Sequence, residues 1–403
     1  MTVDLDDIRA AQRVVAPVIK RTPIISSVTL SEDIGGNVVL KAENLQRTGS
    51  FKIRGAVNKL SALGEIAGRG VTTGSAGNHA LALAFAARHV GVPCEIFVPV
   101  GAPITKVEAA RSYGATVVEA GRDLRETVAL AMERAASADM TFCAPFDDPA
   151  VVAGQGTLGL ELLDDLDDLA TVVVPLGGGG LISGVGIAVK SSRADVRVVG
   201  VQASVCAPYA GGAVTEGAVL TLADGIAVKH PGVVTGPLVS EWVDEIVTVD
   251  EEAIADAMVL LMERAKLYSE GAGAVGVGAL LSGAIRPAEA GATCVVVSGG
   301  NVDLGVVPGL IRRHENQAGR RLSITARIDD RPGGLAKLLT VFADGGANLI
   351  EVEHIREGLD LHVRETGIHA TFEVRGRDHS QRLVEAARSA GYGITVTRSV
   401  AES

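Results

Sequence analysis

The sequence predicts an α/β protein built on parallel sheets, followed by a small ferredoxin-like βαββαβ domain. Three observations carry that expectation. The first is that apolar strand-like runs alternate with helical ones over most of the chain, and the second that after Asn301 this alternation gives way to a different order of elements beginning at Leu322. The third is composition: 47% of the chain is hydrophobic but only 3% aromatic, the Ala, Val, Leu and Ile mixture of buried parallel strands and close helix packing.

Taken in order, the strand-like runs are 38–41, 95–100, 171–174, 196–201 and 293–297, each short and apolar. Between them, 78–89, 123–136 and 251–265 return apolar residues every three or four positions, the period of an amphipathic helix. The stretch 271–285 comes nearest to a membrane span. It is shorter than the roughly 18 to 20 apolar residues a bilayer requires and is rich in Gly and Ala, so it reads as a buried helix. A helix over 307–320 grows polar toward Gln317, Ala318 and Gly319, which places a domain boundary there and gives units of 1–318 and 322–403. In the second unit the order is strand 322–328, turn 329–334 (DDRPGG), helix 335–343, strand 349–356, strand 368–374, helix 380–390 and strand 394–397.

Several function classes are disfavoured. The net charge of −11 comes with no basic segment to offset it, which argues against nucleic acid. The opening MTVDLDDIRA puts acids where a secretory signal has basic and then apolar residues, so a cytoplasmic protein is expected. Cys94, Cys143, Cys206 and Cys294 are far apart and form no CxxC pair. They read as reduced, buried thiols rather than disulfides or a metal site.

Chemistry concentrates in a few runs. In residues 47–56, RTGSFKIRGA, Lys52 stands between Phe51 and Ile53 with glycines on both flanks. Apolar walls disfavour the ammonium form, and a neutral amine is the nucleophile that condenses with an aldehyde. Gly177, Gly178, Gly179 and Gly180 follow a buried strand and precede a helical run beginning at Leu181. Without side chains, the backbone amides there can close around a phosphate at a helix N-terminus, and a loose turn does not need four glycines in a row. Ser75, Gly77, Asn78 and His79 enter a helix; taken alone, Ser75 and Asn78 read as caps and His79 as a packed, satisfied residue. Beside a reactive lysine the same amides suit a carboxylate. Ser298 to Asn301 (SGGN) end the strand 293–297 at the edge of a parallel sheet, where ligands collect. Glu270 is either a helix-cap acid or a site carboxylate.

SFKIRGA, SAGNHA, GGGGLISG, GIAVKHPG, EGAGA and SGGN, in this order, resemble the threonine dehydratases (threonine ammonia-lyases), of the pyridoxal phosphate fold that includes the tryptophan synthase β chain. The resemblance covers about residues 5–315, and 322–403 looks like one ACT domain, a module that often binds amino acids. It implies two parallel-sheet lobes, the smaller (about 50–150) inserted in the larger. It also implies pyridoxal phosphate as a Schiff base on Lys52, Phe51 lining the ring, Asn78 on the phenolic oxygen and Gly177 to Leu181 on the phosphate. Ser298 would face the pyridine nitrogen, and Ser75, Gly77, Asn78 and His79 would hold the substrate carboxylate. The implied reaction is β-elimination of ammonia from L-threonine to 2-oxobutanoate, with L-serine also accepted. A serine partner stores less charge in the ring than an aspartate, which favours expulsion of the β-hydroxyl.

The chain departs from the family's usual pattern at Leu81 and Ala82. Residues 202–206 supply no carboxylate where serine racemases hold a cation, so no metal is expected. EGAGA and the single tail look like the shorter, catabolic type. Competing readings are a serine racemase, a serine dehydratase or a β-replacing synthase on the same fold, or a non-catalytic amino-acid sensor. In the tail, Asp330, Gly334 and Asn348 are either effector contacts or simply a turn and a strand start. Two tails pairing edge to edge would imply a homo-oligomer.

Overall fold

A computed structural model describes residues 3–396 apart from 213–216, 218, 357–361 and 363. The chain divides into two units, Met1–Asp303 and Leu304–Ser403. The helix Val307–Gln317 therefore groups with the second unit, where the sequence reading put it in the first.

Among the described residues of the first unit, ten strands follow the alternation expected: β1 Ile24–Ser26, β2 Val38–Lys41, β3 Val71–Gly74, β4 Cys94–Val98, β5 Thr116–Glu119, β6 Thr141–Phe142, β7 Leu169–Pro175, β8 Arg197–Ala203, β9 Glu245–Val249 and β10 Ala292–Val296. They sort into a larger sheet, β1-β2-β10-β7-β8-β9, and a smaller one, β5-β4-β3-β6, whose strands all lie in sequence between β2 and β7. The smaller sheet is parallel throughout. The larger is mixed, because β1 runs antiparallel to β2, and this corrects the expectation of two purely parallel lobes. The connection between β1 and β2 holds only the seven-residue helix Val28–Ile34, little for the crossover a parallel pair needs.

Two further details differ from the sequence reading. The run 95–100 stops as a strand at Val98, since Pro99 has no N–H for the ladder and Val100 is exposed. β10 is a central strand, buried along its whole length between β2 and β7, so Ser298 follows the carboxyl end of an interior strand rather than a sheet edge. The helices Asn78–Val90, Leu124–Ser137 and Glu251–Leu260 lie where their periodicity put them, and Gly271–Leu281 is a buried helix. All four cysteines are free and buried, and burial pushes the Cys94, Cys143 and Cys294 thiols up to about 12.

In the second unit the strands are β11 Arg321–Asp329, β12 Asn348–Ile355, β13 Glu365–Glu373 and β14 Gly393–Val396, with helices Gly334–Asp344 and Arg377–Ser389 between them. The sheet is antiparallel in the order β12-β13-β11-β14, the arrangement that a βαββαβ chain gives. Phe342 and Phe372 stack at 4.3 Å in its core. The last expected strand residue, Thr397, lies outside the described residues.

In the first unit the helix Lys52–Leu63 carries the reactive lysine and is fixed from two sides. It crosses the helix Pro149–Asp165 closely: a Cβ on Gly154 would stand 2.6 Å from the Arg54 carbonyl oxygen and 2.7 Å from Gly55 Cα. Arg54 has no solvent exposure. Its guanidinium donates to both carboxylate oxygens of Glu43 at 2.8 Å and to those of Glu161 at 2.7 and 2.9 Å, with Thr157 Oγ1 at 3.1 Å. Lys41 Nζ, also buried, reaches Glu161 at 2.8 Å and the Thr22 carbonyl at 2.8 Å. These bonds tie the helix to β2 and to the helix Pro149–Asp165. Arg54→Met would leave two buried carboxylates short of their partner, a loss of about 3 to 5 kcal/mol. Denaturant unfolding should show a clearly lowered midpoint, and an unchanged midpoint would remove this cluster as the anchor of the helix.

Candidate active site

The chain reaches Lys52 through a tight turn that needs glycine. Gly49 has φ +74, and a Cβ there would also stand 2.4 Å from Asn301 Oδ1. Ser50 then pairs with Gly299 in an isolated antiparallel bridge, Phe51 N donates to the Ser298 carbonyl at 3.1 Å, and Gly300 N donates to the Gly49 carbonyl at 2.8 Å. The SFK run and the SGGN run, some 250 residues apart, are thus laced together by backbone bonds. Ser298 is buried at this seam, beyond the end of β10.

Lys52 opens its helix, and its Nζ donates to the Pro145 carbonyl at 2.8 Å. The same nitrogen lies 5.2 Å from the centroid of the Phe51 ring. Desolvation pulls its ammonium down to about 8, against the opposing pull of the Glu270 carboxylate. Near neutral pH an appreciable fraction of this amine is therefore free of its proton.

The residue after Pro145 meets the glycine loop. A Cβ on Gly178 would lie 2.4 Å from the Phe146 ring, one on Gly180 3.0 Å from the Phe146 carbonyl oxygen, and one on Gly177 2.9 Å from Ile226 Cα. Gly179, at φ +93, is the N-cap of the helix Gly180–Ser192. No side chain fits in this loop, and its amides stand at the positive end of a thirteen-residue helix that begins with Gly180 and Leu181. Two residues that the motifs did not single out hold its shape: Thr235 Oγ1 donates to the Gly178 carbonyl at 2.6 Å and the Tyr209 hydroxyl to the same oxygen at 3.3 Å. The Gly178–Gly179 peptide is trans, so with that carbonyl turned to Thr235 and Tyr209 the Gly179 N–H faces the opposite way.

At the head of the helix Asn78–Val90 the N-cap is Gly77, with no side-chain cap bond, so neither Ser75 nor Asn78 is the cap that the sequence alone would suggest. Ser75 Oγ instead accepts from Gly77 N at 3.3 Å. Asn78 turns outward: its Nδ2 donates to Glu270 Oε1 at 2.6 Å, and its Oδ1 accepts from Asn301 Nδ2 at 2.7 Å. His79 is buried, and its Nε2 is 3.0 Å from the Cys143 carbonyl, which can only accept, so Nε2 carries the proton. Burial, then the Lys52 charge, brings this imidazole down to about 4. Its side chain is buried and bonded within the fold, at the first turn of the helix Asn78–Val90.

Glu270 occupies the N-cap position of the helix Gly271–Leu281 without capping it. Its side chain accepts from Asn78 Nδ2 instead of from the first amides of that helix. Burial pushes it up to about 7, opposed by the Asn78 hydrogen bond. In the second unit, the Asp330 carboxylate pairs with Arg356 at 3.0 Å, Asn348 Nδ2 donates to Glu373 at 3.1 Å, and Gly334 begins a helix. Among the described residues no group of three or more His, Cys, Asp or Glu is arranged to hold a metal, and no helix is long and apolar enough to cross a membrane.

Residues 15–299 match the family model described as pyridoxal-phosphate dependent enzyme. The chain is 42% identical to an L-threonine ammonia-lyase of Thermotoga maritima, over 98% of this chain and 99% of the relative. It is 45% identical to a catabolic L-threonine dehydratase of Staphylococcus aureus, over 78% of this chain and 94% of the relative. Among solved structures it is similar to maize serine racemase, with a TM-score of 0.72 and 35% identity over 79% of this chain and 99% of that one.

The shifted carboxylate has a measurable consequence. Glu270 binds its proton up to about 7 in the folded chain against 4.5 ordinarily, so between those values folding takes up a proton and stability falls as pH rises. The penalty is complete above neutrality, at roughly 3 kcal/mol. Glu270→Gln keeps an acceptor for Asn78 and lacks this charge. In the ligand-free protein its unfolding free energy should pull ahead of the native chain's as pH rises from 5 to 8, and parallel curves would refute the shift.

Proposed function

The chain belongs to the pyridoxal-phosphate dependent enzymes, and from that premise we propose that it is a threonine ammonia-lyase, converting L-threonine to 2-oxobutanoate and ammonia and also accepting L-serine. The observation that carries the reading is Lys52: a desolvated amine at the head of a helix, with a side-chain-free anion cradle and a carboxylate-sized helix terminus close by.

The residues present fit the cofactor. The amides of Gly177, Gly178, Gly179, Gly180 and Leu181 would be donors for its phosphate, in a loop where a Cβ on Gly177, Gly178 or Gly179 would collide. Asn78 Nδ2 has a second hydrogen for its phenolic oxygen, Phe51 flanks its ring, and Ser298 offers the ring nitrogen a neutral hydroxyl. Bound there through Lys52, pyridoxal phosphate supplies an electron sink that acidifies the substrate's Cα–H. Lys52 Nζ, desolvated and with its pKa lowered, would be the base placed to take the Cα proton. The amides from Ser75 to His79 hold the substrate carboxylate at an uncapped helix terminus, which orients Cα toward that nitrogen. Ser298 has no charge to stabilise a protonated ring, so the arrangement favours prompt departure of the β-hydroxyl over return of a proton to Cα.

Lys52→Ala removes anchor and base together, and turnover should fall by several orders of magnitude. Borohydride reduction of the native holoenzyme should fix the cofactor to the peptide carrying Lys52, and an adduct on any other peptide would overturn the proposal. The similarity to maize serine racemase gives a second reading on the same residues, so chiral analysis of recovered serine belongs beside the assay of oxo-acid release. Threonine and serine differ by one methyl, worth about 1 to 3 kcal/mol in an apolar pocket, and their kcat/KM ratio sets the preference.

We read the second unit as an ACT domain that binds an amino-acid effector near Asp330, Gly334 and Asn348, in a cytoplasmic homo-oligomer. Its βαββαβ order and antiparallel sheet support this reading. The relative from Staphylococcus aureus matches over only 78% of this chain while covering 94% of itself, which suits a catalytic body able to do without the tail. Deleting residues 322–403 should leave catalysis largely present and abolish any response to branched-chain amino acids. A response that survives the deletion would rule out the assignment.

A further inference from the structure

We propose that Asn301 and Glu270 are positioning residues that together lock the amide of Asn78, so that one of its N–H groups is held ready for the cofactor's phenolic oxygen; this rests on the reading of Asn78 given above.

The orientation is set by the hydrogen bonds alone. Asn301 Nδ2 donates to the Thr48 carbonyl at 2.9 Å and to Asn78 Oδ1 at 2.7 Å. A backbone carbonyl only accepts, so the end of Asn301 facing Thr48 is the nitrogen. The atom of Asn78 that faces this nitrogen must then be oxygen, which turns the Asn78 nitrogen to Glu270 Oε1 at 2.6 Å. Glu270 takes one of the two hydrogens on that nitrogen, and the other remains. Without Asn301 the amide can rotate by half a turn and present an oxygen where a donor is needed.

Two glycines make room for this chain of bonds. A Cβ on Gly49 would stand 2.4 Å from Asn301 Oδ1, and one on Gly299 would stand 2.2 Å from Glu270 Oε1 and 3.2 Å from Asn78 Nδ2. The glycine of TGSFK and the first glycine of SGGN thus leave space for the relay. The backbone holds its far end, since Glu270 N donates to the Gly299 carbonyl at 3.1 Å. Beyond Asn78, the charged groups acting on Glu270 are Asp224 in the turn Asp224–Ile226, Lys106 in the helix Ile104–Ser112, and Lys52. An ionised Glu270 polarises the Asn78 amide more than a neutral one, so the visible band of the bound cofactor should respond to its protonation.

The test uses the full-length holoenzyme and reads two signals: the cofactor's absorption maximum from pH 5.5 to 9, and the apparent Kd of pyridoxal phosphate on reconstitution. Asn301→Asp keeps the shape and removes the donor. It should weaken cofactor binding about 3- to 10-fold and shift the band, and Asn301→Ala should do the same. Glu270→Gln should retain binding within that range and lose the pH-dependent part of the shift, and it carries the test alone if the Asn301 variants do not fold. In an Asn78→Ala background none of these changes should have further effect, because a residue that acts through another loses its influence when that one is gone. Equal effects in both backgrounds, a native band in Asn301→Asp, or an unaltered pH response in Glu270→Gln would overturn the inference and leave the role of Asn78 intact. If Asn78→Ala itself changes neither signal, the reading of Asn78 fails and takes the inference with it, while the attachment at Lys52 stands.

Discussion

The site depends first on an ion cluster that touches no substrate. Arg54, two residues beyond Lys52, has its guanidinium enclosed between Glu43 and Glu161, with no exposure to water. A guanidinium presents its donors in a rigid fork, so satisfying two carboxylates at once specifies direction as well as distance. Glu43 lies two residues past the end of β2 and Glu161 belongs to the helix Pro149–Asp165, so both the sheet and its covering helix are referred to one point on the helix of Lys52. Apolar residues of the same volume would hold these elements together about as well. They would not prevent the helix from turning about its axis, and a turn of even one residue would swing Lys52 away from the Pro145 carbonyl. The close crossing at Gly55 and Gly154 then sets the depth at which that register is held.

Much of this was legible in the sequence, for identifiable reasons. Buried parallel strands are short apolar runs bounded by turn residues, and the runs at 38–41, 171–174 and 293–297 have that form. The glycine loop was legible because four consecutive residues without Cβ have few structural explanations, and the structure supplies collisions for three of them. The lysine stood out by its neighbours. What was not legible depends on contacts between distant segments. Nothing local marks β1 as antiparallel, nor Thr235 and Tyr209 as the residues that hold the Gly178 carbonyl. Glu270 was ambiguous because a carboxylate at a helix start serves equally as a cap, and that its side chain bonds at 2.6 Å to a residue 192 positions earlier is visible only in the folded chain. Asn301 looked like the end of a turn for the same reason.

The three titratable side chains of the site share one tendency. Burial pushes Lys52 down to about 8, His79 down to about 4 and Glu270 up to about 7, so each is moved toward its uncharged form. Desolvation is the largest cause in every case, and the charges that remain oppose it only in part. Surroundings of this kind carry little fixed charge with which to stabilise a charged ring, and on the proposed reading Ser298 would add only a hydroxyl. The strongest oriented fields left are those of the backbone: the first amides of the helices Gly180–Ser192 and Asn78–Val90. On the proposed reading the anionic ends of cofactor and substrate go to these two helix termini, while the reacting carbon lies between them in surroundings that do not stabilise accumulated charge. On that reading a bound pyridoxal phosphate would supply the electron sink, and surroundings with so little fixed charge would favour loss of a leaving group over build-up of charge, so that the shared shift of Lys52, His79 and Glu270 toward neutrality, more than any one of these groups, would incline the site toward elimination.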